Sequence, residues 1–74
     1  MKKYYEILKE LREDKDLKQS EIAEILKTSR SYYGQYERGV RPLPIEHLKT
    51  LAEFYKVSAD YILGLPKGLK YLER

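Results

Sequence analysis

QSEIAEILKTSRSYYGQYERG, the stretch from Gln19 to Gly39, decides how this chain folds. Its apolar residues recur at helical spacing in two groups, and only Lys27 and Thr28 lie between those groups. The stretch therefore predicts two short amphipathic helices joined by a tight turn. Ala23 is the only small residue in the apolar stripe of the first helix, so the two helices can cross closely and at a steep angle.

The second of these helices divides into a polar arc and an aromatic arc. At about 100° per residue, the polar arc spans roughly 140° and consists of Arg30, Gly34, Arg38, Ser31 and Gln35. The opposite arc carries the rings of Tyr33 and Tyr36. Arg can bond guanine, Gln can bond adenine, and the major groove of DNA, about 12 Å wide, accepts one helix. Taken by itself, however, the polar arc favours the simpler interpretation of a solvated surface.

Several short motifs stand in a definite order along the chain. They are Gln19, Glu21-Ile22-Ala23, Thr28-Ser29, Tyr33, Tyr36, Glu37-Arg38-Gly39, Arg41-Pro42 and the later run from Val57 to Leu63. Together they resemble the helix-turn-helix of phage repressor and Cro proteins, over roughly residues 5 to 65. The resemblance implies an all-α, compact, five-helix domain like that of lambda repressor, with the helix-turn-helix at helices 2 and 3.

The polar arc and the resemblance together suggest distinct roles for the polar residues. Those expected to contact bases are Arg30, Ser31 and Gln35, and those expected to contact the DNA backbone are Lys18, Gln19, Ser29, Tyr32, Arg38 and Arg41. Four have simpler alternatives: Lys18 as a solvated cation, Gln19 as a polar first-turn residue, Ser29 as a helix cap and Tyr32 as a ring packed at an edge. Arg12 and Glu37 are expected to form a partly buried structural ion pair.

Across the chain, the pattern predicts five helices and no strand. Their approximate bounds are Lys2–Asp14, Gln19–Leu26, Ser29–Glu37, Ile45–Tyr55 and Ser58–Leu63. Either Thr28 or Ser29 can cap the third helix. Either Phe54 or Tyr55 completes the buried face of the fourth.

Three residues are unusual for the positions they occupy in or just after the predicted helices. Lys27 and Lys56 stand where the resembling family often has Gly, so a left-handed backbone at either would cost roughly 1 kcal/mol. Gly34 lies inside a helix, where Gly costs about 1 kcal/mol relative to Ala. It either lets DNA approach the helix backbone or occupies a tolerant position.

Length and composition narrow the class of protein. The 74 residues suffice for one small domain, and they include no cysteine and one histidine, so we expect no disulfide, metal or other cofactor. No acid–base or nucleophile constellation converges, so we expect no enzyme. There is no apolar run near the roughly 18 residues that span a membrane and no signal-peptide core, which predicts a cytoplasmic protein. The net charge of +3 favours a polyanionic partner only mildly.

The C-terminal residues bear on assembly. We divide the chain into a DNA-binding domain at 1–65 and a tail at 66–74, with Leu65, Leu69 and Leu72 as the apolar stripe of a short extra helix. Because such a stripe needs a partner and one helix reads few bases, we predict a homodimer on a palindromic operator. The predicted function is a sequence-specific transcriptional regulator that binds double-stranded DNA and acts as a repressor. The alternative is a protein-interaction module, such as a toxin-binding antitoxin, with secondary DNA binding.

Overall fold

A computed structural model describes residues 2–64, and this part of the chain is all-helical. Its helices are α1 (Tyr4–Asp14), α2 (Gln19–Leu26), α3 (Arg30–Arg38), α4 (Ile45–Tyr55) and α5 (Ala59–Leu63). The predicted bounds of α2 and α4 are confirmed. Helices α3 and α5 each begin one residue later than predicted, because the preceding serine caps the helix from outside it. Within residues 2–64, no helix is long and apolar enough to cross a membrane.

The turn between α2 and α3 takes its shape from three consecutive residues. Lys27 adopts the left-handed conformation with φ 58°, and the N–H of Thr28 then donates to the carbonyl of Ala23 at 2.9 Å. Ser29 follows in an extended conformation, and its Oγ accepts from the N–H of Tyr32 at 3.0 Å. Ser29, and not Thr28, is therefore the cap of α3.

The same backbone conformation recurs between α4 and α5. Lys56 is left-handed with φ 59°, Val57 N–H donates to the carbonyl of Ala52 at 3.0 Å, and Ser58 Oγ accepts from Tyr61 N–H at 3.1 Å. Both lysines therefore adopt the left-handed conformation whose cost was considered above. Gly64, with φ 74°, ends α5.

The core draws on all five helices. Its buried members are Leu8, Ile22, Ala23, Leu26, Tyr33, Tyr36, Leu51, Tyr55 and Ile62. The rings of Tyr33 and Tyr36 meet edge to face, with centroids 6.4 Å apart. On α4, Tyr55 completes the buried face at 6% exposure, whereas Phe54 is 36% exposed. Ala23, 2% exposed, lies in this core where α2 packs against α3, as the helix crossing requires.

The predicted tail lies outside the described residues. This applies to Leu65, Leu69 and Leu72, and to the boundary between 1–65 and 66–74. The dimerisation role assigned to these leucines stays a prediction.

Candidate nucleic-acid interface

Helix α3 has one polar side and one buried side. The exposed or half-exposed side is formed by Arg30, Ser31, Gln35 and Arg38. The buried side is formed by Tyr33, Tyr36 and Glu37. The two arcs predicted for this helix are therefore present, and the exposed arc carries side chains that are mainly hydrogen-bond donors.

Gly34 is the exception on the polar side, because neighbouring side chains cover it. A Cβ atom placed on Gly34 would lie 3.4 Å from Arg38 Nη1 and 3.5 Å from Gln19 Oε1. Both distances are ordinary van der Waals contacts. The position therefore has room for a methyl group, and the fold itself does not require Gly there.

An ion pair holds the end of α3 against α1. Arg12 Nε donates to Glu37 Oε2 at 2.7 Å and Arg12 Nη2 donates to Glu37 Oε1 at 3.1 Å. Arg12 Nη1 also donates to the carbonyl of Leu17 at 2.8 Å. The two side chains are 12% and 2% exposed. The bidentate geometry is the strongest arrangement that Arg and a carboxylate can adopt, and it brings together the two residues that the sequence paired.

Gln19 belongs to the same buried cluster, which sequence reasoning missed. Its Nε2 donates to Glu37 Oε1 at 3.0 Å, so the first residue of α2 is tied to the end of α3. No sequence signal predicts this contact, because it joins residues far apart in the chain. The amide of Gln19 keeps a second N–H that can donate elsewhere.

The electrostatics of this cluster keep Glu37 ionised. Burial alone raises the pKa of Glu37, but the hydrogen bonds donated by Arg12 and Gln19 outweigh it and hold the pKa below its ordinary value. The hydrogen bond to Glu37 in turn raises the pKa of Arg12. Nearby, burial raises the pKa of the Tyr33 hydroxyl and raises the pKa of Tyr55 to about 12. The cluster therefore holds one carboxylate, one guanidinium and two neutral phenols at neutral pH.

A second cluster forms on the exposed side of α3. Arg41 Nε donates to Gln35 Oε1 at 3.0 Å, and the Arg41 guanidinium carbon lies 4.4 Å from the centre of the Tyr32 ring. Gly39 ends α3 in the left-handed conformation (φ 75°), so the chain changes direction two residues before Arg41. Sequence reasoning gave Gln35, Arg41 and Tyr32 separate roles and did not predict that they touch.

The remaining predicted contact residues lie around α2 and α3. Lys18 is exposed at the cap of α2, where its backbone N–H donates to Glu21 Oε1 at 2.7 Å. Arg30 and Ser31 begin α3 next to the Ser29 cap, and Arg38 ends the helix.

His47 lies on α4 beside Tyr36, with ring centroids 5.7 Å apart. Among residues 2–64, no group of three His, Cys, Asp or Glu side chains is placed to hold a metal.

Two amphipathic helices crossing at a capped turn, followed by two packed helices, define a helix-turn-helix domain. Residues 8–62 match the family model described as Helix-turn-helix, and the chain belongs to this family. Over residues 2–64, the fold is the five-helix, lambda-repressor-like one.

A curated relative is the uncharacterised HTH-type transcriptional regulator YobD of Bacillus subtilis (strain 168). It is 40% identical over 62 residues, which are 84% of this chain and 55% of that protein. The chain therefore spans little more than half the length of this relative.

Two solved structures are similar. A transcriptional regulator from Listeria innocua superposes with a TM-score of 0.84 at 28% identity, covering 90% of this chain and 63% of that one. The restriction-modification controller protein C.AhdI from Aeromonas hydrophila superposes with a TM-score of 0.71 at 30% identity, covering 80% of this chain and 86% of that one.

Proposed function

We propose that this protein is a transcriptional regulator that binds double-stranded DNA in a sequence-specific manner, with α3 in the major groove. The observation that carries the proposal is the exposed donor-rich face of α3 on a helix whose other face is buried in the core. A helix about 10–12 Å across with its side chains fits a groove about 12 Å wide. Membership of the helix-turn-helix family supports the same docking.

Within this proposal, Arg30, Ser31 and Gln35 contact base edges. All three lie on the exposed or half-exposed side of α3. Arg30 and Ser31 are at its N-terminal end, which is the end that a recognition helix directs at bases. Arg30 suits guanine, and Ser31 tolerates several bases.

The backbone contacts surround these base readers. Lys18 and Gln19 lie at the N-terminus of α2, where the helix dipole and the unpaired N–H groups favour an anion such as phosphate. Ser29 Oγ accepts its capping bond, so its hydroxyl proton remains to donate to a phosphate, and the two roles are compatible. Arg38 and Tyr32 are exposed on α3 and extend the contact on either side.

We extend the proposal to a homodimer that represses transcription by occupying a palindromic operator. One recognition helix contacts only a few base pairs, and two-fold pairing doubles the site. The exposed apolar residues Tyr61 and Leu63 on α5 supply a surface for such pairing.

The experiment is selection of bound duplexes from a random pool at about 150 mM salt, a concentration at which phosphate contacts alone bind weakly. We expect an enriched inverted repeat, and we expect Arg30→Ala to relax one position in each half-site. Lys49→Ala is the control, because it removes an exposed cation from α4 without altering α3. Weak, salt-sensitive binding with no enriched sequence would contradict the proposal.

A further inference from the structure

The contact between Arg41 and Gln35 bears on which base the recognition helix prefers. A glutamine side chain that reads adenine uses both ends of its amide: the oxygen accepts from N6 and the nitrogen donates to N7. Guanine offers two acceptors instead, O6 and N7, at the same edge. The preference of Gln35 therefore depends on whether its amide oxygen is available to a base.

Chemistry fixes the orientation of this amide. The Nε of Arg41 can only donate, so the Gln35 atom 3.0 Å from it must be the oxygen. The amide nitrogen, with its two N–H groups, points away from that bond. A second hydrogen bond to the same oxygen, from the amino group of adenine, would bring that amino group beside a guanidinium that is itself all donors.

Three further features keep Arg41 in place. Its guanidinium lies 4.4 Å from the centre of the Tyr32 ring, within the range of a cation–π interaction. The N–H of Val40 donates to the backbone carbonyl of Gln35 at 3.1 Å, which anchors the preceding residue to α3. Pro42 restricts the backbone of Arg41 from the other side. The arginine is therefore ordered before any ligand arrives.

We infer that Arg41 is a positioning residue for specificity: by occupying Gln35 Oε1, it turns Gln35 from an adenine reader into a donor that selects guanine. This inference rests on the proposed function. The Nη groups of Arg41 stay available for an acceptor on the same base or on the adjacent phosphate. The combined surface of Arg30, Gln35 and Arg41 then presents donors, which complement the acceptor-rich edge of guanine.

The test compares sequences selected by the wild type, Gln35→Ala, Arg41→Met and, as a matched loss of one cation, Arg38→Met. Gln35→Ala identifies the position that depends on Gln35, by abolishing its preference. We expect guanine there in the wild type, by about tenfold over adenine, and adenine in Arg41→Met, because the amide oxygen is released. Arg38→Met should weaken binding at all sequences and leave that position unchanged.

The outcomes separate this inference from the proposed function. An enriched site whose Gln35-dependent position is adenine in the wild type, or guanine in both the wild type and Arg41→Met, would overturn the inference and leave DNA reading intact. No enriched site for any protein would overturn both.

A measurement without DNA tests the contact itself. In proton–nitrogen NMR spectra, the Nε–H of Arg41 should exchange with water more slowly than that of exposed Arg38, and Gln35→Ala should abolish the difference. Equal exchange at the two arginines in the wild type would refute the inference before any selection is done.

Discussion

Replacing Arg12 by Met should destabilise the fold in a pH-dependent way. Methionine keeps most of the aliphatic volume but removes every donor to Glu37 and to the carbonyl of Leu17. Glu37, 2% exposed, then keeps only the bond from Gln19. The substitution therefore leaves a buried carboxylate without its counter-charge.

The size of the effect follows from the burial of the pair. Removing one partner of a buried ion pair costs about 3–5 kcal/mol, and the 12% exposure of Arg12 places this pair at the lower end, about 3 kcal/mol. A domain of this size is expected to have a stability of roughly 4–11 kcal/mol. The melting temperature should therefore fall by about 12–24 °C.

The pH dependence separates a lost ion pair from lost packing. In the wild type the pKa of Glu37 is lowered, so its contribution is present above the ordinary carboxyl pKa and is lost as the pH falls through the folded value. Without Arg12, burial dominates and raises this pKa, so the penalty is full at neutral pH and fades on acidification. The difference in unfolding free energy between the wild type and Arg12→Met should therefore narrow as the pH falls from 7 to about 4.

Urea denaturation at both pH values measures this difference. The control is Lys9→Met, which removes an exposed cation from the same helix and should change stability by less than about 0.5 kcal/mol. The double variant Arg12→Met/Glu37→Gln should recover part of the loss, because it removes the buried charge. The assignment of this pair as buried and stabilising is wrong if Arg12→Met unfolds at the same urea concentration as Lys9→Met. It is also wrong if the difference in unfolding free energy between Arg12→Met and the wild type does not change with pH.

Four other substitutions test single features of the fold by thermal denaturation. Lys27→Gly and Lys56→Gly should each raise stability by about 1 kcal/mol, because each relieves a left-handed backbone; unchanged melting at both would contradict that strain. Gly39→Ala should lower stability by at least about 1 kcal/mol, since φ is 75° and the new Cβ would lie 2.6 Å from the Tyr5 ring; a stable variant would show that the turn can rearrange. Gly34→Ala should raise stability by up to about 1 kcal/mol, because the Cβ makes only ordinary contacts; a loss of stability would mean that the helix packs more tightly there.

Local patterns in the sequence predicted most of the fold, because the causes of those elements are local. Helical patterning predicted the bounds of α2 and α4. Ser caps begin α3 and α5, and left-handed glycines end them, where turn chemistry requires. The alternatives that remained, Thr28 against Ser29 and Phe54 against Tyr55, differ by one residue in register. The local hydrogen bond from Tyr32 N–H to Ser29 Oγ decides the first, and the packing of α4 against the core decides the second.

The contacts within the candidate site were less predictable, since they join side chains from different elements. The sequence predicted the polar side of α3 for Gln35 and a first-turn position in α2 for Gln19. In the structure each amide is already engaged, that of Gln19 by Glu37 and that of Gln35 by Arg41. Helical angles report which face a residue occupies and carry no information about what another loop or helix brings to it. Residue types with several donors and acceptors are therefore the ones whose roles a sequence leaves most open.

The hydrogen bonds of Gln19 and Gln35 also determine how far their side chains are ordered before a ligand binds. Gln19 bonds Glu37 with one N–H and keeps another that can donate to a ligand, so the ion pair that stabilises the fold also orients the first turn of α2. Ordering one flexible side chain on binding costs about 0.5–1.5 kcal/mol, and both Gln19 and Gln35 meet that cost during folding. Under the proposed function, the buried cluster behind α3 and the exposed cluster in front of it serve the same end: they set the polar side chains of α3 before DNA binds.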